Sequence, residues 1–391
     1  MESVKKVRLS DISELITKGT TPTTLGYEFQ DEGVNFLKIE CFDEYGGFVE
    51  DKLGHISDEC NKKLKRSQLQ AGDILFSIAG AIGRVAIVTE QMLPANTNQA
   101  LAIIRINRDD VYIPYIRLLL TTPIVKKQFE RKKQGVAQLN ISLKDINELT
   151  IPLPNKIQQI QCVSLFNRID GVINARRLEL KKLDELIKAR FVELFGNPIT
   201  NDKGWNVAEL NSVCDGIGDG LHGTPEYDDS GEYPFINGNN LMNGTIEITP
   251  ATKMVNEDTY KKHYIELTKN AILLSINGTL GKMAFYNGEE VMLGKSACYC
   301  NLKPEINRDF VYGVMKTDAF AGYLERNATT STIKNVGLKA IRGFKLILPP
   351  KNLQNQFVEF SKQIDKSKIE VQKSLDEAQI LFDSLMQQYF G

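Results

Sequence analysis

The sequence predicts an α+β chain in which two copies of a domain built on a mixed, twisted sheet are joined by two long helices that pair as an antiparallel coiled coil. Three observations carry this expectation. The glycine-rich block DILFSIAGAIGRVA (73–86) returns as AILLSINGTLGKMA (271–284), with Ser77, Gly80, Gly83 and Arg84 answered at one constant spacing by Ser275, Gly278, Gly281 and Lys282. Each copy closes on a proline-marked exit, IPLP (151–154) and ILPP (347–350). After each exit comes a long proline-free stretch with apolar residues recurring every seven positions, the signature of a coiled-coil seam.

The first domain, 1–154, opens with short runs rich in β-branched and aromatic residues, such as VNFLKIE (34–40), separated by Gly, Asn and Asp. Such runs read as strands and turns. The block around Gly80 and Gly83 reads as strand, glycine turn, strand. One helix is expected over VYIPYIRLLLTTPIVKKQF (111–129), followed by a loop and the exit. The central helix, 155–200, carries Phe166, Ile173, Leu180, Ile187 and Leu194 as its seam, flanked by Ile169 and Leu183. The second domain, 201–350, repeats the order, with AILLSI (271–276) as a strand and one helix over VYGVMKTDAFAGYLER (311–326). The last helix, 351–391, carries Ile364, Val371, Leu375, Ala378, Phe382, Leu385 and Tyr389. Each helix alone would leave its apolar stripe in water, so the two are expected to pair. The alternative is that each packs on its own domain.

Fainter echoes extend the duplication: INRDDVY (106–112) with INRDFVY (306–312), LKDI (143–146) with LKAI (338–341), GTTP (19–22) with GTP (223–225), and Phe195-Gly196 with Phe390-Gly391. A period of roughly 195 residues is a duplicated domain, far too long for a solenoid repeat.

Composition excludes several functions. With 42% hydrophobic and 25% charged residues, and no apolar run approaching the roughly 18 needed to span a membrane, the chain reads as globular. Its start, MESVKKVRLSDIS, lacks a signal peptide's apolar core, so no membrane association and a cytoplasmic location are expected. Six cysteines form no C-x-x-C pair and only three histidines are present, which leaves little material for a zinc site and favours buried free thiols. A net charge of −1 argues against coating nucleic acid through bulk charge but permits local basic surfaces. One basic run, KKQFERKKQ (126–134), reads by itself as a solvated helix face. The stretch GEEVMLGKS (288–296) imitates a phosphate-binding loop, but it has one residue too many between its glycines, and Glu289 and Glu290 would face the polyanion. A Ser275/His263 dyad has no counterpart in the first copy, which keeps Ser77 without a matching histidine. No catalytic, metal or cofactor site is assigned to this chain.

The ordered alternation of domain and helix, with the D/A-I-L-x-S-x-x-G-x-x-G-[RK] block in each domain, resembles the specificity subunits of type I restriction-modification systems over essentially the whole chain. The resemblance implies a non-catalytic protein whose two target-recognition domains each read half of a bipartite double-stranded DNA site. It further implies that the paired helices set the spacing and dock two methyltransferase subunits, which restriction subunits can join. S-adenosylmethionine, ATP and magnesium would then belong to those partners. A helix over 157–195 would be about 58 Å long, enough to span a turn or more of duplex at about 3.4 Å per base pair.

Base-reading candidates are polar loop residues, because Asn and Gln can pair bidentately with adenine, and Arg or Lys with guanine. In the first copy these are Lys18, Thr20, Thr21, Arg84, Asn96, Asn98, Gln99, Lys132, Lys133 and Gln138; in the second, His222, Thr224, Asn237, Asn239, Asn277, Lys282, Lys295, Ser296, Lys334 and Asn335. Ser77, Gly80, Gly83 and their counterparts read as hairpin scaffold. The competing functional reading is a duplicated scaffold that binds two protein partners without DNA, which the near-neutral charge favours.

Overall fold

The computed structural model describes residues 5–43, 46–131 and 141–390. The chain divides into two compact units, Met1–Arg177 with Lys373–Gly391, and Leu178–Gln372, and the division falls inside the two long helices.

In unit 1, β1 (Lys6–Arg8), α1 (Leu9–Ile12) and β2 (Leu15–Lys18) precede β3 (Val34–Leu37), β4 (Gly54–Ile56) and α2 (Asp58–Lys63). There follow β5 (Ile74–Ser77), β6 (Val85–Ile87), β7 (Ala95–Thr97) and β8 (Leu101–Arg105), then α3 (Ile113–Leu120), α4 (Pro123–Arg131), α5 (Leu143–Asn147) and β9 (Thr150–Pro152), before α6 (Lys156–Phe195) begins. The main sheet has the order β2-β8-β5-β6 and is antiparallel, while β4-β3-β7 forms a second sheet in which β3 and β7 run parallel. All four residues of β5 are buried because both faces of the sheet are covered. Ile74 and Phe76 pack with Ile116 and Leu119 of α3, and Leu75 packs with Leu37 and Met92. Asp73, just before β5, is buried against Arg105, whose guanidinium donates to both carboxylate oxygens at 2.7 Å. That bidentate pairing pushes the Arg105 pKa upward.

Unit 2 repeats this plan. Its elements are β10 (Asn206–Glu209), β11 (Cys214–Asp219), β12 (Tyr233–Ile236), β13 (Leu241–Met242), β14 (Thr245–Ile246), β15 (Met254–Val255) and α7 (Glu257–Lys262). They continue with β16 (Ala271–Ser275), β17 (Met283–Phe285), β18 (Met292–Leu293), β19 (Ala297–Leu302), α8 (Arg308–Met315), α9 (Asp318–Asn327), α10 (Leu338–Arg342) and β20 (Lys345–Leu348), before α11 (Lys351–Phe390) begins. The sheet β11-β19-β16-β17 matches β2-β8-β5-β6, and β15-β12-β18, with β12 and β18 parallel, matches β4-β3-β7. All six cysteines are free and buried.

The long helices pack together with the start of one beside the end of the other. In unit 1 the ring of Phe166 lies 5.3 Å from that of Phe382 and 5.8 Å from that of Phe390, which also reaches Tyr115 at 6.2 Å. In unit 2 Phe357 lies 5.4 Å from Phe191 and 5.7 Å from Phe195, and Lys368 bonds Asp184 at 2.6 Å. Of the seam positions, Phe166, Ile169, Ile173 and Val371 are buried, whereas Leu180, Leu183, Ile187, Leu194, Ile364, Leu375, Ala378, Phe382 and Leu385 are half-buried. The helices also join the domain cores, through Cys162 and Val163 in unit 1 and Phe357 and Val358 in unit 2. Pairing and packing on a domain therefore coexist.

The structure corrects several expectations. Tyr389 meets the seam only in part, its ring 6.0 Å from that of Phe166 but 48% exposed, and its neighbour Phe390 is the buried ring, because at its end the helix meets a domain core as well as its partner helix. Each single helix expected after the glycine block is two. Thr122 ends the turn after α3 by donating its hydroxyl to Leu119 O at 2.6 Å, just before Pro123, and Thr317 does the same to Val314 O at 2.7 Å between α8 and α9. Proline disfavours helix at the residue before it, and threonine offers the backbone a competing bond. The INRD match is out of register. Ser77 pairs with Leu101 and Ser275 with Ala297, so Ile106 corresponds to Leu302 rather than Ile306. INRDDVY accordingly precedes α3, whereas INRDFVY runs into α8. Gly19 likewise corresponds to Gly220 rather than Gly223, because Lys18 lies opposite Ala102 as Asp219 lies opposite Cys298.

Candidate nucleic-acid interface

In unit 1 several chain segments turn at one end of the main sheet. β2 leaves at Lys18, β5 turns at Ser77, and β7 ends at Thr97 before the reversal into β8. A Cβ on Gly19 would stand 1.9 Å from Thr97 O, so only glycine allows the two segments to touch, and Thr20 N donates to that same oxygen at 3.2 Å. Unit 2 builds the same crossing. A Cβ on Gly220 would stand 2.0 Å from Leu293 O, which accepts from Leu221 N at 2.8 Å, and Lys295 N returns to Leu221 O at 3.0 Å.

The glycine turns form the next part of each rim. Gly80, Gly83, Gly278 and Gly281 have φ of 71°, 88°, 76° and 81°, a left-handed backbone that a side chain would strain. The hydroxyl of Ser77 donates to Ala79 O at 2.9 Å, and that of Ser275 to Thr279 O at 2.5 Å, so both serines brace the turn. A third segment joins behind it, where Ile141 N donates to Ile78 O at 3.1 Å and Val336 N to Ile276 O at 2.9 Å.

Most sequence-selected residues that are described lie on these rims. Lys18, Gln99, His222, Thr224, Asn239, Lys295 and Lys334 are exposed; Thr20, Thr21, Arg84, Asn98, Asn237, Asn277, Lys282, Ser296 and Asn335 are half-buried. Lys132, Lys133 and Gln138 lie outside the described residues. Asn96 is different, for it is fully buried. Its amide donates to Asn61 Oδ1 at 2.9 Å and Leu64 O at 3.2 Å, and its position in unit 2 is taken by the buried Met292. A side chain so committed supports the loop and cannot read a base.

Several others are held by neighbours. Gln99 Oε1 accepts from the backbone of Thr21 at 3.1 Å and also from its hydroxyl. Asn98 Oδ1 accepts from Ala100 N at 3.0 Å, and Arg84 donates to Phe42 O at 3.3 Å. Ser296 donates to Asn237 Oδ1 at 2.8 Å and accepts from Gly238 N at 3.0 Å. His222 meets Asp219 at 2.9 Å, and Lys334 meets Glu325 at 2.5 Å. Bonds of this kind orient the side chains of the rim.

Matched positions now carry different chemistry. Lys18 corresponds to Asp219, Gln99 to Lys295, and Thr20 to Leu221, while Arg84 and Lys282 keep their positive charge. The alignment also adds a residue that sequence reasoning missed. Lys38 follows β3 as Asn237 follows β12, and its ammonium lies 4.2 Å from the centre of the Phe29 ring. Matching the ends of the two strands would have found it. The stretch that imitates a phosphate loop runs as β18 and then turns into β19, with no helix after Gly294-Lys295-Ser296. Its backbone therefore lacks the helix N-terminus that such a loop uses.

Among the described residues no group of three or more His, Cys, Asp or Glu side chains is arranged to hold a metal ion, and no helix is long and apolar enough to cross a membrane.

A family model described as "Type I restriction modification DNA specificity domain" matches residues 1–184 and again 202–380. The chain is 27% identical over 175 residues to the type I restriction enzyme EcoBI specificity subunit of Escherichia coli, and 26% identical over 173 residues to a putative type I restriction enzyme MjaX specificity subunit of Methanocaldococcus jannaschii. These alignments cover 43% and 44% of this chain but 36% and 38% of those relatives, so the matched part is under half of each. Among solved structures, a chain from work on complex assembly and conformational transition of the type I R-M system aligns over 98% of this chain and 95% of its own, with a TM-score of 0.62 at 19% identity. A type I restriction-modification S subunit from M. genitalium aligns over 99% and 96%, with a TM-score of 0.54 at 15% identity. At such identities the likeness is one of fold.

Proposed function

Because the chain belongs to the family of type I restriction-modification DNA specificity domains, we propose that each of its units reads one half of a bipartite duplex DNA target. The observation that supports this most directly is the pair of matched rims. Backbone scaffolding is kept at Gly19 and Gly220 and at both glycine turns, while the polar residues around it diverge, as the exposed Lys18 and the half-buried Asp219 do. Two readers of unrelated half-sites need such a division, since phosphate contacts position a protein and base contacts specify.

In this reading the paired helices set the unread gap and dock two methyltransferase subunits, which restriction subunits can join. The chain itself performs no chemistry, and S-adenosylmethionine, ATP and magnesium are bound by those partners. The test is to assemble the chain with a methyltransferase subunit, map methylated positions across a genome, and measure binding to the mapped duplex at two salt concentrations. An interrupted target, with affinity that falls steeply with salt, is expected. Exchanging 1–154 for the matching domain of a relative should change one half-site only. Salt-insensitive association with protein partners and no DNA binding would favour the scaffold reading, which rests on the net charge of −1. Methylation by the purified chain alone would overturn the non-catalytic assignment.

A further inference from the structure

Behind the glycine turn of unit 2, the segment from Ala328 to Val336 doubles back on itself, with an antiparallel bridge between its two ends. Its backbone is tied by Thr329 N to Asn335 O at 2.9 Å, and its side chains reinforce that tie. The Thr329 hydroxyl accepts from Asn335 N at 3.1 Å and shares a 2.8 Å bond with Ser331, whose hydroxyl also bonds Ile333 O at 2.6 Å. The doubled segment is fastened to the rim, because Lys334 O accepts from Gly278 N at 2.9 Å and Asn335 bridges to Asn277. Within this braced polar loop stands one large apolar side chain, Ile333, which is 65% exposed.

A single exposed aliphatic residue is ordinary on a protein surface. This one differs in being held in place on the rim, between Thr332 and Lys334, by bonds that fix the backbone on either side of it. Holding the loop in advance lowers the ordering cost of a contact made there. The polar neighbours Asn277, Lys334 and Asn335 suit phosphates and base edges, but an isoleucine can gain nothing from those. In the major groove the base-edge feature that rewards an aliphatic contact is the C5-methyl group of thymine.

We propose that Ile333 is a specificity-determining residue, which packs against the methyl group of a thymine in the second half-site. The assignment rests on unit 2 reading DNA through this rim. Loss of one methyl contact should weaken binding about fourfold, the effect of exposing a single methyl-sized group.

The experiment uses the full chain assembled with its methyltransferase subunits and the duplex identified by methylation mapping. Each thymine of the second half-site, on either strand, is replaced in turn by uracil, which keeps every hydrogen-bonding group and lacks only the methyl. The wild-type complex should lose about fourfold in affinity at one position. Ile333→Ala should bind the thymine duplex about fourfold more weakly and show no difference between thymine and uracil there, while Ile333→Val should retain the difference. Because the side chain is exposed, melting temperatures should be unchanged, and circular dichroism checks the fold of each variant. Equal binding of all uracil duplexes by the wild type, discrimination surviving in Ile333→Ala, or a second half-site without thymine would each overturn the assignment while leaving the DNA-reading function in place. If the wild-type complex did not prefer the mapped duplex over an unrelated one, the broader reading would fail, and this assignment with it.

Discussion

Replacing Phe390 by alanine should loosen unit 1 and spare unit 2, although the residue lies next to the end of the chain. Phe390 is 2% exposed, and its ring contacts Tyr115 and Phe166 inside the unit 1 core. Truncating a buried phenylalanine costs roughly 3–5 kcal/mol. The lower figure suits a residue at a helix end, where neighbours can partly collapse into the space, so we expect about 3 kcal/mol. For a unit of this size each kcal/mol lowers the melting temperature by roughly 2–4 °C, which gives a fall of roughly 6–12 °C. Phe195→Ala is the mirror experiment. Phe195 is fully buried in unit 2, with its ring 5.2 Å from Phe310 and 5.7 Å from Phe357. Scanning calorimetry would follow the two transitions, and amide hydrogen exchange would report which unit opens. Loss of protection in both units from either substitution, or a melting shift under about 2 °C, would refute the claim that each helix end completes one core.

Gly220→Ala should force apart two backbone segments that now touch, costing about 1–3 kcal/mol and relaxing the second half-site, while Gly19→Ala should relax the first. Both variants altering the same half-site in a methylation map would defeat the matched-rim argument. A fragment ending at Thr200 lacks residues 373–391, which complete unit 1, but a second copy can offer Phe195 where Phe390 belongs. Light scattering should therefore show a two-fold dimer, and a monomer at high concentration would count against the equivalence of the two helix ends. All six buried thiols should resist alkylation at pH 8 until denaturant is added. Burial pushes the Cys162 pKa from 9.0 up to about 11, so between those values the unfolded chain gives up a proton that the folded chain keeps. The stability contribution is thus intact below pH 9.0 and is lost as pH rises towards about 11, which thermal melts across that range should show as a steady fall.

The duplication and the fold class were legible because both depend on local pattern. Ser77, Gly80 and Gly83 returned as Ser275, Gly278 and Gly281 because a tight turn between two buried strands tolerates few alternatives at those positions. Register was harder. INRDDVY and INRDFVY match better as letters than the true partners do, yet only the pairing of β5 with β8, and of β16 with β19, shows that they lie at different depths in the fold. The candidate rim was visible as polar loops. However, Asn96 looks like its neighbours Asn98 and Gln99 in sequence, and only its burial beneath Asn61 and Leu64 separates a supporting amide from a reading one.

Repeat, heptad and proline exit were enough to determine that two domains of one kind each lead into a long helix. A helix's apolar stripe reveals that it must be covered, because water penalises any exposed seam, but it does not reveal what covers it. The tertiary structure decided that. Phe195 ends the first copy's helix and packs in unit 2, while Phe390 ends the second copy's helix and packs in unit 1, so each domain core is finished by residues from the other copy. Burial of a ring depends on which side chains meet it across hundreds of residues of chain, and that is a property of the folded arrangement rather than of any window of sequence.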